Sequence, residues 1–431
     1  MKNVKYNLLV PALICLMIVG TGCKKDFANP NAATADQVLT SAKALMGVAI
    51  GIQRTYALNV MAGAANANGL VTNETFLLNP GNISEFQLST GGTAVDGTNG
   101  LLGNIWSAAN KCIFDANNVI NGAAKLSDKG YASGLIAYSS IIKALSIGSL
   151  SMFWEKIPDT VGVANATFID RKLGFARAIA AIEKAQAAIS ANAISTGFAA
   201  DLPAGIDIPN TLNALKARYL LFSENYAGAL AAANTVPLTA RSVFNFDAAV
   251  SNPIFAAATS TNNLYQPLDS TLGLPAALAP NFADKRIPFY TVISPSILPR
   301  YRLRGFWVAA TTAVPIYLPG EMILIKAEAY ARLTTPDLAN AIIELNKVVA
   351  KTPAADIYGV GADLPPVAPL TISEVLLEIY KNRCIELYFS GFKLEDMRRF
   401  NRPLTERKRN FFPYPFRERD GNTNTPADPA F

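Results

Sequence analysis

The 431-residue sequence contains no histidine. This absence excludes Ser-His-Asp and Cys-His nucleophile systems, zinc proteases of the HExxH type and every metal site that uses histidine ligands. Any catalysis would depend on carboxylates, lysine, tyrosine, serine or cysteine. No spacing of these residues is typical of a catalytic centre, so the sequence predicts no catalytic residue, no metal site and no cofactor.

Charged residues are also scarce, at 16% of the sequence, whereas hydrophobic residues make up 51%. Such a chain can bury a large core and is not disordered. The whole net charge of +6 is carried by residues 381–419, which hold eleven basic and five acidic side chains. No basic stripe follows the rest of the chain, which argues against a nucleic-acid partner. We expect this C-terminal segment to be partly buried and ion-paired.

One long uninterrupted apolar run is present, at the N-terminus. It covers thirteen residues, 8–20, and follows Lys2 and Lys5. A membrane-spanning helix needs roughly 20 apolar residues, so this run is too short to span. Two lysines followed by a short apolar run are typical of a secretory signal peptide.

The residues after this run resemble the cleavage site of a bacterial lipoprotein. Small residues at 20–22 directly precede Cys23, although Gly20 replaces the leucine that is usual three residues before the cysteine. We expect residues 1–22 to be removed as a lipoprotein signal peptide and Cys23 to be lipidated, which would anchor the mature chain stably to a membrane. An ordinary signal peptide that is cleaved nearby, with Cys23 incidental, is the alternative.

Two cysteines remain after this processing, Cys112 and Cys384. They lie far apart in the sequence and form no CxxC spacing, so they provide no metal or redox motif. They could form a disulfide in an oxidising compartment or pack as two small apolar side chains. We favour unpaired and buried cysteines.

The hydrophobic pattern is mainly helical. Apolar residues recur at helical spacing in 171–190 and 336–350, and a capping box of Thr371 and Glu374 opens a further helix. Several predicted helices form pairs with short turns and are rich in alanine, which is typical of tetratricopeptide-type helical hairpins. The other predicted helices cover residues 34–57, 104–122, 134–153, 211–223, 225–234 and 320–333.

Long irregular segments rich in glycine, asparagine, threonine, serine and proline separate the helix pairs. The main ones include about 59–103 and 236–319, which are far longer than ordinary connections and are typical of functional loops. We predict a mainly α protein in which residues 23–431 form a single helical domain and these two segments are loop insertions that carry the binding surface.

Ordered motifs over nearly the whole chain make it resemble the SusD/RagB family, the outer-membrane surface lipoproteins of Bacteroidetes. One such match would carry little weight, whereas seven in the right order are specific. The motifs are residues 24–30 (KKDFANP), 106–120 (WSAANKCIFDANNVI), 153–158 (FWEKIP), 284–286 (DKR), 314–330 (VPIYLPGEMILIKAEAY), 383–399 (RCIELYFSGFKLEDMRR) and 412–415 (FPYP).

The resemblance implies a nutrient-binding lipoprotein of the outer membrane that faces the cell surface and is not an enzyme. Members of the family capture glycans or peptides and deliver them to a TonB-dependent SusC-like channel. We expect a glycan, an oligo- or polysaccharide, with a peptide as the alternative ligand of the same architecture. Aromatic rings with a few polar groups suit a neutral sugar, and the chain outside residues 381–419 carries no net charge.

The resemblance also implies where the ligand binds, because the family builds its ligand surface from the early loop and from the loops before the helix at 320–333. Trp106 and Trp154 lie on motif helices and are expected in the core. As ligand contacts, the three aromatic candidates would be exposed platforms for sugar rings, and the alternative for each is a place in the core. The ligand-binding candidates are Asn73, Glu74, Tyr265, Tyr290 and Trp307.

The motif at 383–399 is predicted to be structural. Helical spacing from Ile372 places Arg383 and Glu386 three residues apart among apolar neighbours. A buried arginine needs a carboxylate, and this spacing supplies one. We therefore expect Arg383, Glu386 and Asp396 to stabilise the scaffold, and the alternative is that this motif supplies a catalytic acid.

Two other functions are open. A glycoside hydrolase that uses carboxylates alone needs two carboxyl groups roughly 5–10 Å apart in a cleft, and no acid pair in the sequence indicates one. A helical-repeat lipoprotein that binds only protein partners is the second possibility.

Overall fold

The computed structural model describes residues 41–259, 263–295, 298–368 and 371–431. The predicted signal peptide and Cys23 lie outside the described residues. Residues Leu39–Phe431 form one compact unit, and a continuous hydrophobic core runs through it. A compact unit with its own core can fold by itself.

Helices dominate the described residues. Helix α1 continues through one stretch of π-helix, Tyr56–Met61, into α2. The helices are α1 (Ala42–Thr55), α2 (Ala62–Val71), α3 (Ile83–Thr90), α4 (Gly100–Ala123), α5 (Lys129–Phe153), α6 (Arg171–Ala191), α7 (Thr196–Asp201), α8 (Ile208–Phe222), α9 (Tyr226–Asn234), α10 (Arg286–Tyr290), α11 (Pro319–Arg332), α12 (Leu338–Val349), α13 (Ile372–Glu386), α14 (Lys393–Arg399) and α15 (Phe416–Gly421).

Polar side chains decide where several of these helices begin. The Asp128 carboxylate accepts the N–H of Tyr131, so α5 starts five residues before the predicted position. At α13, Thr371 and Glu374 form the predicted capping box. A side chain that satisfies an N-terminal N–H group in this way stabilises a helix by about 1 kcal/mol.

Neighbouring helices pack as hairpins joined by short turns. α4 packs along α5, α8 along α9, and α11 along α12. Contacts of α5 with α6 and of α9 with α11 join the hairpins into one array. The predicted mainly α architecture of tetratricopeptide-type hairpins is therefore confirmed.

Helix α5 lies at the centre of the array. Among the described residues it is the one helix that is long and apolar enough to span a membrane, since it has 25 residues and an 18-residue stretch with a mean hydropathy of 1.4. Within that apolar stretch, 89% is buried inside the protein. A core helix of a folded domain can be equally long and apolar, and the other helices cover the apolar surface of α5.

A glycine sets the close approach of α5 to its neighbours. A Cβ added at Gly148 would lie 2.3 Å from the ring of Tyr219 on α8. That ring stacks at 6.0 Å on Phe175 of α6. Any larger residue at Gly148 would displace the tyrosine, so the glycine fixes the packing of three helices.

The segment 59–103 contains two helices, α2 and α3, that the sequence pattern does not indicate. Residues 63–71 of α2 are all buried. A helix that is buried on every side has no polar face, so it lacks the periodicity from which helices are predicted. Because α2 is buried on all sides, its sequence lacks the pattern from which a helix is predicted.

The strands are short and form antiparallel pairs. Of the four pairs in the described residues, one joins the two predicted loop segments to each other and two lie within residues 236–319. Backbone hydrogen bonds therefore organise those segments. The pairs are β1 (Phe76–Leu77) with β5 (Tyr265–Gln266), β2 (Lys156–Pro158) with β3 (Phe168–Asp170), β4 (Val243–Phe244) with β8 (Val314–Pro315), and β6 (Thr291–Ile293) with β7 (Tyr301–Leu303).

The remaining core expectations agree with the structure. Cys112 and Cys384 are unpaired and buried. Trp106 and Trp154 are also buried, and their rings meet edge to face at 4.9 Å. These four side chains belong to the scaffold.

Candidate functional site

An aromatic cluster lies beneath the long loops, at the carboxyl end of α13. At its centre are Tyr388 and Phe389, which directly follow that helix. Phe389 has a φ of 55°, which is uncommon for a bulky residue and persists only where the surroundings enforce it. The cluster consists of Tyr265, Tyr290, Phe306, Trp307, Tyr388 and Phe389.

The rings of this cluster pack in stacked and edge-on pairs. Tyr290 stacks on Trp307 with 6.0 Å between ring centres, and Trp307 meets Phe389 edge-on at 5.3 Å. Tyr265 approaches Phe389 at 5.5 Å. Such pairs contribute about 0.5–1.5 kcal/mol beyond the burial of their area, so the cluster is a rigid support for the loops above it.

Glu74 fixes the cluster to the first loop. One carboxylate oxygen accepts the N–H of Phe389 at 3.1 Å, and the other accepts the amide of Asn68 at 2.6 Å. The backbone carbonyl of Glu74 accepts the Tyr388 hydroxyl at 2.7 Å. Burial raises the pKa of Glu74 to about 7, although Lys393 and the Phe389 amide oppose the shift.

Four of the five predicted ligand residues are brought together at this cluster. Glu74, Tyr265, Tyr290 and Trp307 are each at most 2% exposed. The expectation that the three aromatic rings are open platforms therefore differs from the structure, in which they fill the space between α13 and the loops. Their assignment to ligand binding stays a prediction.

Asn73 is the exposed member of the predicted set. Its φ of 62° places it in the left-handed region, where asparagine is favoured over most residues. Its side-chain amide donates to the carbonyl of Glu406 at 3.3 Å. Asn73 therefore lies at the surface, directly next to the buried Glu74.

A small cavity of about 70 Å³ adjoins the cluster. The buried ion pair of Arg218 and Glu321 lines it, with nitrogen–oxygen distances of 2.6 and 2.7 Å. Trp307 Nε1 and the Tyr317 hydroxyl also face buried surroundings, and within the described chain neither has a hydrogen-bond partner. Ligand pockets span about 300–1,000 Å³, so this cavity suits ordered water and not a sugar ring.

A layer of short strands covers the cluster. β1 pairs with β5, and the Gln266 side chain of β5 accepts the N–H of Leu303 on β7 at 2.7 Å. β7 then pairs with β6. The two predicted loop segments thus form one surface, which we call the loop layer (β1, β5, β6 and β7 with their connecting residues).

The loop layer and the segments around it expose large apolar side chains that sequence analysis did not select. Phe76 on β1 is 48% exposed, and Ile293 on β6 is 60% exposed. Neither strand is long enough to show an alternating pattern, so no local signal indicated these positions. Other exposed apolar residues of these segments are Leu268, Phe282, Val292, Leu298 and Val308.

The motif at 383–399 forms buried ion pairs, but the predicted pairing of Arg383 with Glu386 is wrong. Arg383 pairs with Asp396, whereas Glu386 pairs with Arg286 at 3.1 Å and Lys351 at 2.6 Å. Spacing along one helix did not determine the partners, because neighbouring segments bring other charges closer. The expected burial of the basic C-terminal segment is confirmed at these residues.

No group of three or more cysteine, aspartate or glutamate side chains in the described parts of the chain is arranged to hold a metal ion. The carboxylates near the aromatic cluster are already engaged. Glu386 faces two cations, and Glu74 accepts hydrogen bonds on both oxygens. The arrangement is that of a stiff, loop-covered platform.

Comparisons with known proteins agree with this architecture. Residues 309–428 match the model of the SusD family. A search of curated protein sequences found no match. Among solved structures, a SusD homologue from Bacteroides thetaiotaomicron has a TM-score of 0.71 at 13% identity and covers 93% of this chain and 99% of its own.

Two further structures bear on the fold. A SusD superfamily protein from Bacteroides vulgatus has a TM-score of 0.67 at 14% identity, with 90% of this chain and 99% of that chain covered. A laminarin-binding SusD-like protein has a TM-score of 0.61 at 14% identity with the same coverage. The family resemblance is therefore confirmed: residues 309–428 match the SusD family model, and the described chain has a SusD-like fold.

Proposed function

We propose that this protein binds a nutrient glycan at the cell surface and delivers it to a TonB-dependent SusC-like channel. The observation that carries the proposal is the family match on a fold shared with a laminarin-binding protein. A SusD-like carbohydrate-binding protein from Bacteroides fragilis has the same fold, with a TM-score of 0.64. A peptide ligand is the alternative within this architecture.

The glycan binds on the loop layer, with Asn73 and Phe76 as direct contacts. Sugar rings present flat apolar faces, which an exposed aromatic ring covers, and their hydroxyls need amide or carbonyl partners. Asn73 and Phe76 supply both chemistries three residues apart, and both are exposed. The buried candidates Glu74, Tyr265, Tyr290 and Trp307 act at the same site by holding these loops in place.

The site binds without catalysis. Glycoside hydrolysis needs an acid and a second carboxylate in an open cleft. Glu74 is the acid of the candidate set, and its carboxylate is buried beneath the surface and occupied by two hydrogen bonds. A ligand on the loop layer therefore has no carboxylate pair from this set within reach.

Affinity electrophoresis and calorimetry of residues 39–431 against a panel of polysaccharides, laminarin included, test the proposal. We expect one glycan to bind, and the double variant Asn73→Ala/Phe76→Ala to weaken binding roughly thirtyfold, because a stacked ring and a hydrogen bond each contribute about 1 kcal/mol. Phe416→Ala is the control, since Phe416 is 57% exposed on α15, outside the loop layer. Binding of peptides only, or new reducing ends, would contradict the proposal.

The outer membrane is the proposed location, with Cys23 as the lipid anchor. Labelling of cells with a radioactive fatty acid is expected to mark the wild-type chain and not the variant Cys23→Ser. Protease treatment of intact cells is expected to degrade the protein at the surface. Recovery of a TonB-dependent channel with the purified protein tests the partner, and its absence from the isolated complex would contradict delivery to such a channel.

A further inference from the structure

A second concave site lies among α4, α5 and α6. Residues between 113 and 184 line it, and none of them belongs to the loop layer. Its volume is about 410 Å³, within the range of small-molecule sites. The hairpin loop between β2 and β3 forms one wall. Arg177 of α6 holds that loop by pairing with both the carboxylate and the backbone carbonyl of Asp159. We call this site the α4–α6 pocket.

Small and apolar side chains form the body of the α4–α6 pocket. Ala180 and Ala181 of α6 leave the space open, and Ile147 and Leu150 of α5 face it from the other side. Val163 on the hairpin loop also lines it and is 57% exposed. The pocket therefore offers an apolar surface that is partly in contact with solvent.

Positive charge is concentrated at the same pocket. Lys143 of α5 and Lys184 of α6 line it together with Arg177, and the one acidic lining residue is Asp159. Asp159 is paired with Arg177. Neither lysine has an ion pair or a hydrogen bond within the described chain. Lys184 is exposed to solvent, so the charge that is both desolvated and uncompensated is that of the partly buried Lys143.

Lys143 differs in this respect from other lysines that are withdrawn from solvent. Lys351 pairs with Asp356 and Glu386, while Lys393 and Lys408 donate to backbone carbonyls. Lys143 is partly buried, and burial together with the nearby charges of Lys184 and Arg177 lowers its pKa. A desolvated ammonium without an acceptor is costly, and an anion in the pocket would remove that cost.

We propose that the α4–α6 pocket binds a small organic anion with an apolar body, its acidic group between Lys143 and Lys184 and its apolar part against Ala181 and Ile147. A carboxylate accepts hydrogen bonds from both ammonium groups, and the apolar part covers the alanine surface. Fatty acids and aryl-substituted carboxylic acids share this chemistry. The proposal rests on this pocket alone and is independent of glycan binding on the loop layer.

Calorimetry of residues 39–431 with decanoate and with 4-phenylbutyrate tests it, and decanol is the neutral comparison. We expect saturable binding of at least one carboxylate at millimolar concentration or below, and roughly tenfold weaker binding of the alcohol. The two acids distinguish the two classes of ligand. A pocket that suits fatty acids binds decanoate more tightly, and a pocket that suits aryl-substituted acids binds 4-phenylbutyrate more tightly. Either preference supports the pocket.

Variants locate the binding. Lys143→Gln/Lys184→Gln is expected to weaken carboxylate binding roughly tenfold, whereas the control Lys111→Gln/Lys125→Gln removes the same charge from residues that do not line the pocket and leaves binding unchanged. Ala181→Leu fills the pocket and is a second test of whether the carboxylate binds there. Circular dichroism checks that this variant is folded. Absence of binding by both acids, equal binding of decanol, or full affinity in the lysine variant would overturn the proposal.

Discussion

Arg383 and Asp396 form a bidentate ion pair that joins α13 to α14, with Nε–Oδ2 and Nη2–Oδ1 distances of 2.9 and 3.0 Å. Arg399 extends the pair, since it reaches both Asp396 and Glu328 at 2.7 Å. All four side chains are buried. The family motif at the C-terminal end therefore holds α11, α13 and α14 together.

Replacing Arg383 by alanine is expected to destabilise residues 39–431 by about 3–5 kcal/mol, because it leaves the buried Asp396 short of a partner. Urea denaturation measures this change. Lys381→Ala is the matched control, since Lys381 lies on the same helix and makes only a partly exposed pair at 3.6 Å with Glu378. Wild-type stability of Arg383→Ala together with lost ligand binding would contradict the structural role.

Gly69 is expected to tolerate no side chain. A Cβ there would lie 2.5 Å from the Phe389 ring and 2.9 Å from the Thr75 hydroxyl, so Gly69→Ala forces apart α2 and the aromatic cluster. We expect a loss of about 1–3 kcal/mol in the free energy of unfolding. Gly103→Ala in α4 is the control, because its Cβ meets nothing within 4 Å and alanine favours a helix by about 0.5–1 kcal/mol. Equal stabilities of the two variants would contradict the prediction.

Stability is expected to fall as the pH rises through the titration of Glu74. Burial raises the pKa of this carboxyl from 4.5 to about 7 in the folded chain, so the folded state binds the proton more tightly than the unfolded state does. The contribution of the Glu74 proton to the free energy of unfolding is about 3 kcal/mol. It is fully present below pH 4.5 and is lost as the pH rises through 7.

Glu74→Gln removes this titration. The difference in unfolding free energy between Glu74→Gln and wild type is therefore expected to shift in favour of the variant between pH 5 and pH 8. Chemical denaturation over that range at constant ionic strength measures it. A difference that stays constant with pH would show that Glu74 does not ionise in this window.

Cys112 and Cys384 are expected to be unreactive toward a disulfide reagent at pH 8 in the folded chain. Burial raises the pKa of both thiols to about 12, and reaction requires an exposed thiolate. Both should react at once in guanidinium chloride without a reductant. Rapid labelling of the folded chain, or no labelling after unfolding, would contradict free and buried cysteines.

Local patterns predicted much of the scaffold. The capping box of Thr371 and Glu374 and the alanine-rich hairpins indicated helices that the structure contains. Their physical basis lies within a few residues of the chain: hydrogen bonds to the first helical turn and a repeat of apolar side chains. α2 escaped prediction because its burial removed that repeat.

The sequence by itself thus determined the mainly helical class and the family motifs, since both depend on residue type and short spacing. The tertiary structure alone decided that Arg383 pairs with Asp396 and that Tyr290 and Trp307 are buried. It also joined β1 to β5 across nearly 190 residues. Ion-pair partners and ring exposure depend on which distant segments meet, and contacts between distant segments are set by the packing of the whole chain.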